Sequence, residues 1–152
     1  MKEIKLSNVQ TIGDGSCFFH ALFTIFSQYR DMTESEKKEY VYKFRRVTAK
    51  KLSLEEFCSL PMFESLVNHI EDKTPVYNEF VNRLAEPSEW ADHYIISYTS
   101  HVIGLNVIVF DDSQRVILDE KRHDSIPKIY MLLINDSHFE LLMDKEGDRY
   151  IF

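Results

Sequence analysis

Apolar residues along the chain recur at two different periods, and the change falls at Gly104. Before it, helical spacing dominates. Cys17 to Tyr29 is rich in Phe, Ala and Leu and follows the turn Gly13-Asp14-Gly15-Ser16, with Ser16 placed as an N-cap, so one helix is expected over this stretch. Thr33, with Glu36 three residues on, reads as a capping box. The helix it opens carries Val41, Phe44 and Val47 at helical spacing. Shorter helices are expected around Leu54–Phe63, Phe63–Ile70 and Val76–Leu84, and a longer one from Trp90 to Ile103. Gly104 suits the left-handed residue that ends such a helix.

After Gly104 the runs become short and β-branched. Asn106–Phe110 and Ile129–Ile134 read as strands, as do Phe139–Met143 and Tyr150–Phe152, the last two joined by the hairpin loop Asp144-Lys145-Glu146-Gly147-Asp148. Helices followed by a small sheet predict an α+β fold. No repeat, linker or biased segment interrupts the chain, and 1–152 reads as one domain.

Composition narrows the function classes. The 152 residues carry 18 basic and 25 acidic side chains, a net charge of −7, so the chain lacks the cationic footprint of a nucleic-acid binder. No apolar run reaches the ~18–20 residues needed to cross a bilayer, and Met1–Lys5 is followed by no signal-peptide core. Two cysteines, Cys17 and Cys58, are too few for a disulfide framework. They predict free thiols in a reducing compartment, which is to say a cytoplasmic protein.

Most familiar chemical motifs fail. Gly13-x-Gly15 has Phe at position 18 where a dinucleotide loop needs its third glycine. The six histidines (His20, His69, His93, His101, His123 and His138) form no ligand spacing, so neither a metal nor a cofactor is expected. Cys17 is different. It stands at the junction of a glycine turn and a helix, whose unpaired N–H groups favour thiolate and hold an oxyanion. Cys58, in mid-segment with no such turn, reads as core.

A cysteine nucleophile needs a base, which is usually distant in sequence. His138 follows the loop Asn135-Asp136-Ser137 and begins a strand, and strand alternation puts Glu140 on its face, where a carboxylate can orient the ring. His20 suits the role less, because it sits one turn into the helix while the Cys17 side chain tilts back toward the N-terminus.

Asp14-Gly15-Ser16-Cys17-Phe18-Phe19-His20-Ala21 resembles the nucleophile motif of the ovarian-tumour (OTU) family of cysteine deubiquitinases. Trp90-Ala91-Asp92 resembles the family's central Trp-Gly block, with Ala91 in place of the usual glycine. His138-Phe139-Glu140 resembles the terminal histidine block, with Glu140 where Asp or Asn is usual. The resemblance spans positions 14 to 140 and implies Cys17 as nucleophile and His138 as base. The third role then falls to Glu140 or Asp14, with Asn135 and Asp136 as lesser candidates. It also implies hydrolysis after the Gly-Gly tail of ubiquitin or a ubiquitin-like modifier by a monomeric, cofactor-free enzyme. Trp90 would wall the tail's groove, and Asp92 would meet the arginine before the glycines. A non-catalytic ubiquitin-binding module on the same fold is the competing class. A viral protease acting on its own polyprotein is another, and a viral or effector origin would place the protein in host cytoplasm.

Overall fold

Hydrogen-bond bookkeeping at each helix end explains where the elements of this chain start and stop. The computed structural model describes residues 5–119 and 125–152, which leaves His123 outside the described residues. A short strand β1 (Leu6–Val9) leads into the glycine turn and helix α1 (Cys17–Phe23). The expected single helix to Tyr29 breaks here. Thr24 turns its hydroxyl back onto the carbonyl of His20 at 2.7 Å, Phe26 is extended, and a new turn α2 (Ser27–Arg30) begins. A side chain that bonds its own backbone in this way competes with helix propagation.

The capping box holds as expected. Glu36 N donates to Thr33 Oγ1 at 3.2 Å and Thr33 N to the Glu36 carboxylate at 3.1 Å, opening α3 (Glu34–Lys51). Its buried stripe differs from the expected one. Val41 is buried, but the stripe continues through Arg45, Thr48 and Ala49, and Val47 is 39% exposed. A buried arginine rotates the helix, and hydropathy patterns cannot register it.

Pro61 lacks an N–H and divides the next stretch into α4 (Leu54–Ser59), a 3₁₀ turn (Pro61–Phe63) and α5 (Glu64–Val67). Helix α6 (Thr74–Ala85) carries Pro75 in its first turn, where the missing donor costs nothing. Helix α7 (His93–Ile103) starts three residues later than expected, because Asp92 and not Trp90 is its cap. Asp92 Oδ1 accepts from Ile95 N at 2.9 Å. It ends at Gly104 with φ +80°, as the sequence predicts.

The sheet is β1-β5-β4-β2-β3, comprising β2 (Asn106–Phe110), β3 (Val116–Asp119), β4 (Lys128–Ile134) and β5 (His138–Asp144). Among the described residues, β2 and β4 run parallel and the other pairs are antiparallel. Four-residue β1 and β3 occupy the two edges and were not expected from sequence. Tyr150–Phe152 is not a strand. The hairpin after Asp144 closes on one bridge to Arg149, and Phe152 instead exchanges two 2.8 Å backbone bonds with Lys128. The helix-then-sheet order nonetheless gives the expected α+β fold.

Two aromatic clusters join these layers. Phe18 meets Phe139 of β5 edge-on at 5.6 Å, which seats α1 against the sheet, while Phe57, Phe63, Phe80 and Tyr98 fill the space among α4, the 3₁₀ turn, α6 and α7. No helix among the described residues is long and apolar enough to cross a membrane.

Candidate active site

The glycine turn is built from its own aspartate. Asp14 Oδ1 accepts from Ser16 N at 2.8 Å and its carbonyl from Cys17 N at 3.2 Å, which folds the chain into α1 with Cys17 as first helical residue. Ser16 stands at the N-cap position, but its side chain does not cap. Its hydroxyl donates to Pro87 O at 2.7 Å and accepts from Arg45 Nη1 at 2.8 Å. Gly15 is required for the same contact, since a Cβ there would lie 2.5 Å from the Ser88 backbone. The missing side chain therefore serves the approach of residues 83–89.

Arg45 holds that approach together. The fully buried guanidinium donates to Leu84 O (2.8 Å), Arg83 O (3.0 Å), Pro87 O (3.2 Å) and Glu89 O (3.0 Å) as well as to Ser16, and it stacks on Phe19. Burial lowers its pKa to about 10, which still leaves it charged at neutral pH. Sequence reasoning missed this residue, because an arginine in a basic helix reads as solvated.

Cys17 is 4% exposed, and its Sγ donates to Ser137 O at 3.7 Å. Burial pushes the thiol up and the charge of Asp14 adds to this, while the Phe139 amide works in the opposite direction. These effects oppose the preference for thiolate expected from the helix terminus alone.

His138 is aimed by a tight turn. Asn135 and Asp136 both adopt positive φ (51° and 56°), and Ser137 N donates to Ile134 O at 3.1 Å. Asn135 and Asp136 are the two central residues of a left-handed turn in the three-residue loop 135–137, and Asn and Asp tolerate that conformation best after glycine. The turn sets His138 opposite Ile134, at the mouth of β5. Its ring then lies over Gly13, where an added Cβ would sit 3.8 Å from Cε1 and 3.9 Å from Nδ1. On the far side, Nε2 is 3.5 Å from Glu140 Oε2. Assigning the proton to Nε2 satisfies this contact and leaves Nδ1 as the free base on the Gly13 side. Glu140 is itself buried, and its Oε1 accepts from Asn8 Nδ2 at 2.6 Å. Asn8 was not found from sequence, since nothing in Leu6–Val9 marks it.

Asp14 serves other partners. Its Oδ2 lies 3.2 Å from His20 Nε2 and accepts from Tyr42 OH at 3.0 Å. His20 is fully buried, and burial lowers its pKa, so the ring is neutral. It donates from Nε2 to Asp14 and accepts from the Tyr29 hydroxyl at Nδ1. Asn135 and Asp136 act through their backbone in the turn.

Trp90 is 56% exposed, just before α7. Asp92 is tied to Arg83 by a 2.5 Å ion pair in addition to its capping bond. An apolar depression of about 180 Å³ is lined by Ala91, His93, Ile96, Val109, Leu133 and Phe139; neither Trp90 nor His138 lines it, and strand alternation turns Phe139 to the other face of β5 from His138. Cys58 is half-buried at the edge of the core, and both cysteines are free. Among the described residues no three His, Cys, Asp or Glu side chains are placed to hold a metal.

A family model described as OTU-like cysteine protease matches residues 12–141 of the chain. No curated protein is significantly similar to it in sequence. Among solved structures, an OTU domain in complex with ubiquitin is similar with a TM-score of 0.64 at 16% identity, over 97% of this chain and 74% of that one. The Hazara virus OTU bound to ubiquitin is similar at 0.58 and 20% identity, over 90% and 80%. An OTU deubiquitinase from Wolbachia pipientis wMel is similar at 0.56 and 18% identity, over 93% and 90%. At these identities the structures establish a shared fold.

Proposed function

The chain belongs to the OTU-like cysteine protease family, and from that premise we propose that it hydrolyses the bond after the C-terminal Gly-Gly of ubiquitin or a ubiquitin-like modifier. The observation that carries the reading is one constellation. Cys17 touches the backbone on both sides of His138, whose ring lies between Gly13 and the carboxylate of Glu140. The likeness in fold to OTU domains complexed with ubiquitin supplies the substrate class.

In this mechanism His138 Nδ1 takes the thiol proton and Cys17 Sγ attacks the scissile carbonyl carbon. The carbonyl becomes an oxyanion. Of the turn's amides, those of Ser16 and Cys17 are committed to Asp14. The Asp14 and Gly15 amides make no such bond among the described residues and are the donors we assign to the oxyanion. Collapse breaks the C–N bond and the imidazolium gives its proton to the leaving lysine amine. Water, deprotonated by His138, then cleaves the thioester and returns the thiol. Glu140 holds the Nε2 proton throughout and stabilises the imidazolium, which favours Glu140 over Asp14 for the third role. Trp90, exposed just before α7, is assigned to one wall of the groove that takes the Gly-Gly tail. Asp92, already paired with Arg83, would meet a basic tail residue only by sharing its carboxylate.

We assign residues 1–152 to a single monomeric catalytic unit without cofactor, and its two free thiols fit a reducing, cytoplasmic setting. The test is a ubiquitin bearing a C-terminal electrophile. The wild type should form an adduct one ubiquitin heavier, Cys58→Ala should form it too, and Cys17→Ala should not. Labelling retained in Cys17→Ala, or none in the wild type, sinks the assignment.

A further inference from the structure

Strand alternation places His138, Glu140 and Leu142 on one face of β5. Strand β1 pairs antiparallel with β5, and Asn8 stands directly opposite Leu142, so its side chain shares that face and lies diagonal to Glu140. The diagonal is occupied by a hydrogen bond. Asn8 Nδ2 donates to Glu140 Oε1 at 2.6 Å while Oε2 of the same carboxylate lies 3.5 Å from His138 Nε2. Each carboxylate oxygen thus has one partner, and the plane of the group is set from the edge of the sheet.

This matters because of the residue's length. A glutamate two positions along a strand has one more torsion to fix than an aspartate, and its carboxylate reaches a neighbouring ring in only some rotamers. We propose that Asn8 is a positioning residue for the reaction: it selects the Glu140 rotamer that faces His138 and so orients the base. The inference rests on the reading of His138 as the base of Cys17. Asn8 touches neither reacting atom, and its side chain sits on an exposed edge strand, where substitution leaves the core intact.

A double-mutant cycle tests it, read in two ways on the same variants. One readout is kcat and KM on ubiquitin–aminomethylcoumarin; the other is the rate of Cys17 alkylation by iodoacetamide, in Cys58→Ala background, which needs no ubiquitin. Asn8→Ala should slow both rates about three- to tenfold, with the loss in kcat and not KM, less than the full worth of a hydrogen bond to a charged group because Asn8 acts on the reaction only through Glu140. Asn8→Asp keeps the shape but removes the donor and sets a like charge beside Glu140, so it should fall below Asn8→Ala. In a Glu140→Ala background Asn8→Ala should cost nothing further. An Asn8→Ala loss of equal size with and without Glu140, or Asn8→Asp at the wild-type rate, overturns the proposal. If the wild type fails on ubiquitin while alkylation still shows the coupling, the substrate reading fails and Asn8 stands. If His138→Ala leaves alkylation unchanged, base and positioning residue fall together.

Discussion

Removal of the Arg45 guanidinium should cost stability and reactivity together, because one side chain ties the nucleophile turn to residues 83–89. Arg45→Met keeps the apolar stem and deletes five donors' worth of contact. Not every acceptor is orphaned. Pro87 O keeps the Ser16 hydroxyl and Arg83 O keeps Glu86 N, which leaves Leu84 O and Glu89 O without these bonds. The buried Leu84 carbonyl, left unsatisfied, costs roughly 1–3 kcal/mol, the part-buried Glu89 carbonyl costs less because water can reach it, and the stacked Phe19 contact adds about 1–2. Relief from burying a charge returns part of this. The net expectation is a loss of about 2–4 kcal/mol, a large fraction of an ordinary domain's ~5–15. Arg45→Lys, with one ammonium for four carbonyls, should lose about half as much. Urea unfolding followed by circular dichroism gives the global value, and fluorescence of Trp90, the sole tryptophan, reports on the 83–89 segment beside it. The rate of reaction with a ubiquitin electrophile should fall in parallel. A loss under about 1 kcal/mol with an unchanged probe rate would refute the clamp.

The other expectations concern the site itself. Gly15→Ala must displace the Ser88 backbone, and should lower stability and probe rate as Arg45→Met does, whereas Gly13→Ala, with 3.8 Å to His138, should fold normally; equal melting temperatures for the two would count against the packing argument. Because burial and Asp14 both raise the Cys17 thiol, its alkylation in His138→Ala should rise only above about pH 9, and adding Asp14→Asn should shift that rise downward. A rise near neutral pH in His138→Ala would mean that the helix terminus alone makes the thiolate. Glu140→Ala should lower kcat/KM less than His138→Ala; if it stays at wild type while folded Asp14→Ala collapses, Asp14 holds the third role. His20 is depressed by burial, so the folded state binds fewer protons than the unfolded one below the unfolded value of ~6.5. Stability should therefore fall as pH drops from about 6.5, by at most about 1.4 kcal/mol per unit from this residue, and less steeply in His20→Gln; equal slopes in urea titrations at pH 7 and 5 would reject it.

The parts of the fold that were legible in the sequence are those whose cause is local. The Thr33–Glu36 box, the Gly104 stop and the β-branched runs 106–110 and 129–134 each carry their physics within a few residues. Edge strands β1 and β3 do not. Leu6-Ser7-Asn8-Val9 is a strand because β5 offers it backbone partners, and four mixed residues hold no period strong enough to announce that. The breaks at Thr24 and Asp92 were misplaced for a related reason. A side chain that bonds backbone can end a helix or begin one, and propensity alone does not choose.

The same division runs through the site. Cys17 and His138, the proposed nucleophile and base, stand out in sequence because a glycine turn before a helix and a histidine at a strand mouth are local signals for chemistry. What holds them was invisible. Arg45 acts on a turn 29 residues away through Ser16, and Asn8 acts on a carboxylate 132 residues away. Even the sign of the Cys17 thiol's shift reversed, because the sequence gives a helix terminus but not the burial against Ser137 and Phe139 that opposes it. On the proposed mechanism, a buried thiol whose pKa burial raises needs its base held in a fixed place. Two left-handed residues, Asn135 and Asp136, aim the ring from one end, and Glu140, held by Asn8, anchors it from the other. The ring is thereby constrained at the strand mouth with Nδ1 turned toward Gly13, where the absent Cβ leaves room for it. On the proposed mechanism, the proton of Cys17 then passes to a ring oriented from both ends, by its turn and by its carboxylate.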